Sequence, residues 1–156
     1  HAHIKERLAL EMLRSERSAQ PVSVVMLDID HFKKVNDSYG HLIGDQVISS
    51  LANLLKQQLR KTDIIGRYGG EEFVVLVADT KPADLNRLAD KLRAGVERRM
   101  MLPDGSHLTT SIGVAQLQPG EDWEAWLHRA DMALYQAKHQ GRNQVVIADL
   151  PTQLPE

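Results

Sequence analysis

An almost entirely apolar run, from Val22 to Leu27, limits the possible folds of this chain more than any other part of its sequence. The run is rich in β-branched residues and stops at the acidic stretch Asp28-Ile29-Asp30. A strand with one face in water alternates apolar and polar residues, whereas a strand covered on both faces is apolar throughout. We therefore expect a central strand here, with helices packed on both sides of its sheet.

Helical and strand patterns along the rest of the chain supply the other elements of such a fold. Apolar residues recur at helical spacing in the segments that flank the run, and short β-branched segments follow them. The predicted helices cover residues 4–19, 32–35, 44–59, 82–98 and 121–139, and the predicted strands cover residues 22–27, 63–67, 73–77, 108–115 and 145–147. The tail after Asp149 contains prolines and is predicted to be loose.

The order of these elements predicts an α/β sandwich, in which helices pack on a mixed sheet. The strands over 63–67 and 73–77 form a predicted hairpin, and its Gly69-Gly70 pair is expected to supply the positive φ angles of a tight turn. The sequence shows no internal repeat and no linker. We expect one domain over residues 1–156, with its core at about residues 22–147.

The composition excludes several classes of site and partner. Lysine and arginine number 19 against 21 acidic residues, for a net charge of −2, whereas a nucleic-acid-binding module usually carries a basic excess. The absence of cysteine rules out disulfides and thiolate zinc sites, and the spacing of the 7 histidines matches no metal-ligand pattern. The chain has no apolar run long enough to span a bilayer and no visible signal peptide, so we expect a cytoplasmic domain without direct membrane contact.

Asp28 and Asp30 are the first candidates for chemistry. They follow the central strand at its carboxyl end, where α/β folds tend to place ligand sites. Alternation along the strand puts both carboxylates on one face and Ile29 on the other. The alternative is that one of them, and Asp30 more than Asp28, only caps the helix that follows.

A second pair of acids, Glu71 and Glu72, lies at the tip of the predicted hairpin, directly after Gly69 and Gly70. Adjacent carboxylates repel each other unless a cation lies nearby. Mg²⁺ is commonly held by one or two carboxylates together with substrate phosphates, and glycines let a ligand approach the backbone closely. The pattern is compatible with a metal site, and also with an ordinary exposed turn.

Four ordered motifs resemble the GGDEF family, in its GGEEF form, over about residues 22–147. A single match of five residues would be weak, whereas four motifs in order at compatible spacing are specific. The matching motifs are Asp28-Ile29-Asp30-His31-Phe32-Lys33, then Asn36-Asp37 with Tyr39-Gly40-His41 and Gly44-Asp45, then Arg67-Tyr68-Gly69-Gly70-Glu71-Glu72-Phe73, and last Ala130-Asp131, Ala133-Leu134-Tyr135, Ala137-Lys138 and Gly141-Arg142-Asn143.

The resemblance implies a diguanylate cyclase with a nucleotidyl-cyclase or polymerase-palm-like fold and a mixed, mostly antiparallel sheet of five strands. It also implies two Mg²⁺ or Mn²⁺ ions per active site when substrate is bound. It implies that Asp28, the Ile29 carbonyl and Glu71 ligate these ions, and that Glu72 is a further ligand or accepts the proton of the 3′-hydroxyl. The implied contacts to the guanine are Asn36 and Asp45. The implied contacts to the triphosphate are Lys33, Lys138, Arg142 and the backbone N–H groups near His31 and Phe32. Gly69 and Gly70 are implied to lie against the nucleotide.

The resemblance also implies partners. The family joins two GTP molecules across a two-fold homodimer and is inhibited by its product, cyclic di-GMP, at an R-x-x-D site. Arg60 and Asp63 match this site, although R-x-x-D is also a common surface spacing. Lys91 or Arg93, from the helix over 82–98, is a weaker candidate for a third contact.

This chain departs from the family pattern at its start. The family's D-x-L-T…N-R segment is expected before the first helix, and the chain begins at His1, after that point. We therefore expect a piece of a larger signalling protein, with a sensor or receiver domain elsewhere, and leave open whether that protein is anchored in a membrane. Loss of the segment is expected to weaken catalysis because it removes packing beneath the active site. It removes none of the residues implied to bind metal or substrate.

Two alternative functions remain open at this point. A non-enzymatic receptor would bind cyclic di-GMP through Arg60 and Asp63, but such proteins usually have a degraded hairpin motif. A related nucleotidyl cyclase would use another nucleotide, although Asn36 and Asp45 favour guanine over adenine. The intact hairpin motif together with Asp28 favours the cyclase.

Overall fold

The computed structural model describes residues 2–148, so the tail predicted to be loose lies outside the described residues. The helices are α1 (Ala2–Ser18), α2 (Phe32–Gln58), α3 (Pro82–Arg99) and α4 (Trp123–His139). The strands are β1 (Val22–Ile29), β2 (Ile64–Arg67), β3 (Glu72–Ala78), β4 (Thr110–Gln116) and β5 (Val145–Ile147). Within residues 2–148, none of the helices combines the length and apolar character needed to cross a membrane.

The strands form one five-stranded sheet in the order β2-β3-β1-β4-β5, with β1 at its centre. Neighbouring strands are antiparallel except for β4 and β5, which are parallel. This confirms both the mixed α/β sheet predicted from the element order and the five, mostly antiparallel strands implied by the resemblance. Every residue of β1 is buried, as its apolar composition requires.

The two faces of β1 belong to two separate hydrophobic clusters. Val25 and Leu27 pack with α2 and α3 on one face of the sheet. Val24 and Met26 pack with α1 and α4 on the other face. This covering on both sides explains why β1 carries no polar residue before its carboxyl end apart from Ser23, which is buried as well.

The helix α2 differs from the sequence-based expectation. A short helical turn, a loop and a separate helix were expected, and the structure shows one helix over Phe32–Gln58 that is kinked at Gly40 (φ 85°, ψ 167°). This backbone conformation is available to glycine because it has no Cβ. The kink brings the first arm of the helix, with Asn36, against the start of the second arm, with Gly44.

Close packing of α4 on β4 fixes where the end of α4 lies. A Cβ atom on Gly113 of β4 would lie 2.2 Å from the backbone nitrogen of Leu134 and 2.3 Å from the carbonyl oxygen of Ala130. Only glycine permits this approach of strand to helix. The helix begins at Trp123 rather than at Glu121, because the Asp122 carboxylate accepts a hydrogen bond from the Ala125 N–H at 2.8 Å and caps it.

Candidate functional site

A cleft of about 500 Å³ opens at the carboxyl end of β1. It collects side chains from β1, the start of α2, the hairpin tip and the end of α4, which are far apart in the sequence. Its lining residues are Asp28, Ile29, His31, Phe32, Lys33, Lys34, Asp37, Glu71, Lys138 and Arg142. Eight of these ten were predicted as site residues from the sequence, all but Lys34 and Asp37.

Asp28 is the buried acid of this cleft, with 4% of its surface exposed. Its Oδ2 accepts a hydrogen bond from Lys138 Nζ, and its Oδ1 is buried without a partner. Burial raises the pKa of Asp28 to about 6; Lys138 opposes this rise, and Glu71 and Glu72 add to it. A buried carboxylate oxygen without a partner, close to two further carboxylates, is a suitable ligand for a hard divalent cation.

Glu72 lies directly opposite Asp28 in the antiparallel pairing of β1 with β3. Burial raises the pKa of Glu72, Lys138 lowers it, and Asp131 and Glu71 raise it further. Glu71 precedes it at the hairpin tip and lines the cleft. Of the four acids singled out in the sequence, Asp28 and Glu71 line the cleft, and Glu72 lies beside Asp28 without lining it.

The hairpin tip is built differently from the expectation. Neither Gly69 nor Gly70 has a φ in the left-handed region, so the predicted positive φ angles are wrong. The tip is closed instead by the Tyr68 N–H bonded to the Glu72 carbonyl at 2.8 Å. The Arg67 guanidinium donates to the Gly69 carbonyl at 3.2 Å and to the Gly70 carbonyl at 2.5 Å. Sequence reasoning assigned no role to Arg67.

The two glycines leave open space at the tip. A Cβ atom on Gly70 would meet no atom within 4 Å, and one on Gly69 would lie 3.8 Å from the nearest atom, Glu72 Cβ. Neither position is therefore restricted to glycine by the protein's own packing. The missing side chains leave open space at the tip beside Glu71, although neither glycine is among the residues that line the cleft.

The start of α2 is suited to an anion. Its N-cap residue, His31, has a left-handed backbone (φ 58°, ψ 34°), and no side chain caps the helix. The alternative that Asp28 or Asp30 is a helix cap is therefore wrong. Uncapped N–H groups at a helix N-terminus, together with the helix dipole, favour phosphate. Lys33, Lys138 and Arg142 line the same cleft and add positive charge.

Asn36 and Asp45 are not among the lining residues of the cleft. Asn36 Oδ1 is buried without a hydrogen-bond partner. It lies so close to Gly44 that a Cβ atom there would be 1.9 Å from it and 3.3 Å from Phe32 Cζ. Asp45, the next residue, is exposed. The kinked helix therefore places the unpaired amide oxygen of Asn36 near Phe32, which does line the cleft.

Arg60 and Asp63 lie outside the cleft and bind each other. The Asp63 side chain is fully buried, and its two oxygens accept from the Arg60 guanidinium at 3.0 and 3.3 Å. Arg60 also donates to the Ala78 carbonyl and to the Thr80 hydroxyl, each at 2.9 Å. Its side chain stays half exposed. The predicted pair is thus a fixed surface guanidinium held by a buried carboxylate.

A metal ion in the cleft would need ligands beyond the protein side chains. Across the described residues, no three acidic, histidine or cysteine side chains converge into a group that would hold an ion alone. Asp28 and Glu71 carry carboxylate oxygens in the cleft, and Lys33, Lys138 and Arg142 carry positive charge there. This donor set fits Mg²⁺ or Mn²⁺ bound jointly by carboxylates and substrate phosphates.

Comparison with known proteins identifies the family. The family model described as "Diguanylate cyclase, GGDEF domain" matches residues 1–144. The chain is 41% identical over 149 residues to diguanylate cyclase DgcP of Pseudomonas aeruginosa, covering 94% of this chain and 22% of that protein. It is 45% identical over 142 residues to response regulator PleD of Caulobacter vibrioides, covering 85% of this chain and 30% of that protein. The chain therefore spans less than a third of the length of these curated relatives.

Solved structures agree with this assignment. The active GGEEF domain of a diguanylate cyclase from Vibrio cholerae superposes with a TM-score of 0.90 at 32% identity, covering 96% of this chain and 97% of that one. The GGDEF domain of DgcB from Caulobacter crescentus, in complex with c-di-GMP, gives a TM-score of 0.88 at 32% identity, covering 94% and 86%. From the motifs, the fold and these likenesses, the chain belongs to the GGDEF domain family of diguanylate cyclases.

Proposed function

We propose that this domain condenses two GTP molecules into cyclic di-GMP and two pyrophosphates. The observation that carries the proposal is the buried Asp28, with one unpartnered oxygen, facing Glu72 and sharing a cleft with Glu71, Lys138 and Arg142. Acids gathered beside phosphate-binding cations are what transfer of a nucleotidyl group requires.

In the proposed reaction, the 3′-hydroxyl oxygen of one GTP forms a bond to the α-phosphorus of the other. The bond from that phosphorus to the bridging oxygen of pyrophosphate breaks, and the hydroxyl proton passes to a base such as Glu72. A second, identical step closes the ring. When bound, two Mg²⁺ or Mn²⁺ ions held by Asp28, the Ile29 carbonyl and Glu71 would lower the hydroxyl pKa and neutralise charge on the phosphates.

The remaining residues of the cleft would bind and orient GTP. Lys33, Lys138, Arg142 and the uncapped N–H groups at the start of α2 would hold the triphosphate. Asn36 and Asp45 would bind the guanine edge, with Phe32 beside Asn36. Gly69 and Gly70 would leave the space that the nucleotide occupies.

The proposed reaction requires two copies of the domain. One cleft binds one GTP, and the attacking and attacked nucleotides must face each other. A two-fold homodimer meets this requirement, since each copy then presents its own nucleotide to the other. The rate per chain should accordingly rise with protein concentration.

The direct test is nucleotide chromatography of the purified domain, at high concentration, with GTP and Mg²⁺. Nucleotide released from the protein by heat is measured first, and a parallel reaction contains ATP. Cyclic di-GMP and pyrophosphate from GTP alone would support the proposal. Product from ATP would indicate another nucleotidyl cyclase. Retention of added cyclic di-GMP without turnover would indicate a receptor.

The guanine contact can be tested through Gly44. In Gly44→Ala, the new methyl group would displace the Asn36 amide and press on Phe32. Losing one guanine hydrogen bond should raise the KM for GTP about tenfold. Initial rates across a GTP series measure this change, and Ser49→Ala, an exposed position on the same arm of α2, is the control. An unchanged KM would contradict the placement of the guanine.

We also propose that Arg60 and Asp63 bind the cyclic di-GMP product and inhibit the enzyme. The half-exposed Arg60 guanidinium is held rigidly by Asp63 and Thr80, which suits bidentate donation to a phosphate or a guanine edge. Arg93, an earlier candidate for a third contact, is mostly buried and pairs with Asp90. Lys91 is exposed on the same helix.

Arg60→Ala should relieve product inhibition, so that product accumulates without slowing at cyclic di-GMP concentrations that stop the parent domain. The variant should also lose about 1–3 kcal/mol of stability, because the buried Asp63 carboxylate loses its charged partner. Progress curves with added cyclic di-GMP measure the first effect, and urea unfolding measures the second. Lys61→Ala, an exposed cation next in sequence, is the control. Inhibition that persists in a folded Arg60→Ala would contradict this site.

The location of this domain and its place in a longer protein are also proposed. We propose that the chain works in the cytoplasm, where GTP is available, and under the control of a sensor or receiver domain in a longer protein. The requirement for GTP supports the location, and coverage of only 30% of response regulator PleD supports the longer protein.

A further inference from the structure

The connection from α4 to β5 contains three consecutive residues with positive φ: Gly141 at 122°, Arg142 at 64° and Asn143 at 47°. Outside glycine, a left-handed backbone is uncommon, and each such residue costs on the order of 1 kcal/mol or more. Strained backbone of this kind persists only where its surroundings hold it in place. Arg142 lines the cleft, so the strain lies directly under a proposed triphosphate contact.

Asp30 holds this connection from the side of the sheet. It is 3% exposed and accepts the Asn143 N–H at 3.0 Å. Its two oxygens also accept hydrogen bonds from the Thr109 hydroxyl at 2.7 Å and from the Ser111 hydroxyl at 2.6 Å. Asp30 does not line the cleft, although its neighbours in sequence, Ile29 and His31, do. Its carboxylate is fully used inside the protein and supports the connection.

Helix α3 holds the same connection from the other side. The Asn143 side chain donates to Glu97 Oε2 at 2.5 Å and accepts from Arg93 Nη1 at 3.0 Å. The Arg93 side chain is 19% exposed, and its Nε donates a hydrogen bond to Asp90 Oδ1 at 2.7 Å. Asn143 thus has its backbone N–H and both ends of its amide bound, and none of these partners lines the cleft.

We infer that Asp30, Asn143, Arg93 and Glu97 are positioning residues that hold the left-handed connection so that Arg142 reaches the triphosphate. This inference rests on the proposed function only in taking the triphosphate as the ligand of Arg142. None of these four residues lines the cleft. They act by fixing the backbone from which Arg142 extends, which reduces the ordering that binding would otherwise require.

Binding measurements test this inference without turnover. The probe is a GTP analogue with a non-cleavable bridge between its α- and β-phosphates, compared with GMP by calorimetry in Mg²⁺. Asn143→Ala and Arg93→Ala should each weaken analogue binding about tenfold and change GMP binding less than about twofold. Arg87→Ala, on the exposed side of the same helix, is the matched control and should change neither.

Two further variants separate positioning from general damage. In the background of Arg142→Ala, Asn143→Ala should cause no further loss of analogue affinity, because the two substitutions remove one contact. Asn143→Gly should bind the analogue more tightly than Asn143→Ala does, since glycine adopts positive φ at no steric cost. Thermal unfolding shows whether each variant is folded.

Three results would overturn the inference. They are additive losses in the double variant, equal losses of analogue and GMP, and failure of the parent domain to bind the analogue at all. The two proposals can fail separately. If the parent domain forms no cyclic di-GMP but the variants show the expected coupling in analogue binding, the proposed cyclase is refuted and the positioning role stands.

Discussion

Formation of cyclic di-GMP should fall at least about a hundredfold in Glu71→Gln, because the variant loses a charged ligand for the proposed metal ions. Glu71 lies at the tip of the hairpin, after β2 and before β3, and is only half buried. The substitution keeps its size and leaves the backbone bonds of the tip intact. The unfolding temperature should therefore change little. Chromatography of product at saturating GTP measures the loss.

The control for this experiment is Glu124→Gln, the same change at an exposed position in the first turn of α4. It should retain full activity. The Mg²⁺ concentration needed for half-maximal rate should rise in Glu71→Gln if any activity remains, and stay constant in the control. A fully active Glu71→Gln would remove the basis for the proposed metal site.

Asp28→Asn should abolish activity and, at the same time, stabilise the metal-free protein by about 1–2 kcal/mol at pH 8. Burial raises the pKa of Asp28 from 3.8 to about 6, so the folded state binds a proton more tightly than the unfolded state does. Ionising this carboxyl therefore destabilises the fold. An amide carries no charge and avoids that cost.

The sign of the pH dependence follows from the raised pKa. The contribution of Asp28 to stability is fully present below about pH 4, is lost as the pH rises toward about 6, and is constant above that. The difference in free energy of unfolding between Asp28→Asn and the parent should grow over this window and then level off. Urea unfolding in a chelator, at a series of pH values, measures it.

Asp30→Asn is the matched control, two residues further along the chain. Asp30 is equally buried, but its oxygens accept three hydrogen bonds, and an amide can accept fewer of them. This variant should lose about 1–3 kcal/mol of stability. If both substitutions destabilised the protein, ionisation of the buried Asp28 carboxyl would not have the cost in stability described above.

Much of this fold was predictable, because its central strand is covered on both faces. The apolar run over residues 22–27 predicts that arrangement directly. Asp28 and Glu71 were candidates from their places at a strand end and at a hairpin tip. Lys138 and Arg142 were predictable only through the family motifs, since nothing local to Lys138 indicates that it contacts Asp28. Contacts between residues so distant in sequence depend on how α4 packs, and that depends on Gly113.

Sequence reasoning failed where a backbone conformation is set by tertiary contacts. The glycines at the hairpin tip were expected to adopt positive φ, whereas side-chain bonds from Arg67 shape the tip. Conversely, Arg142 and Asn143 have positive φ without being glycines, because Asp30 and α3 hold them. Local propensity carries no information about such distant partners.

The pairing of Asp28 with Glu72 across β1 and β3 has a consequence for how this domain can change in evolution. Side chains alternate faces along a strand, so a single inserted or deleted residue in either strand would turn one of these acids to the opposite side of the sheet. Loops such as the one before β4 can vary in length without touching this pairing. The two strands can tolerate only changes that preserve their register, and their lengths should be far more constant among descendants than those of the surface loops.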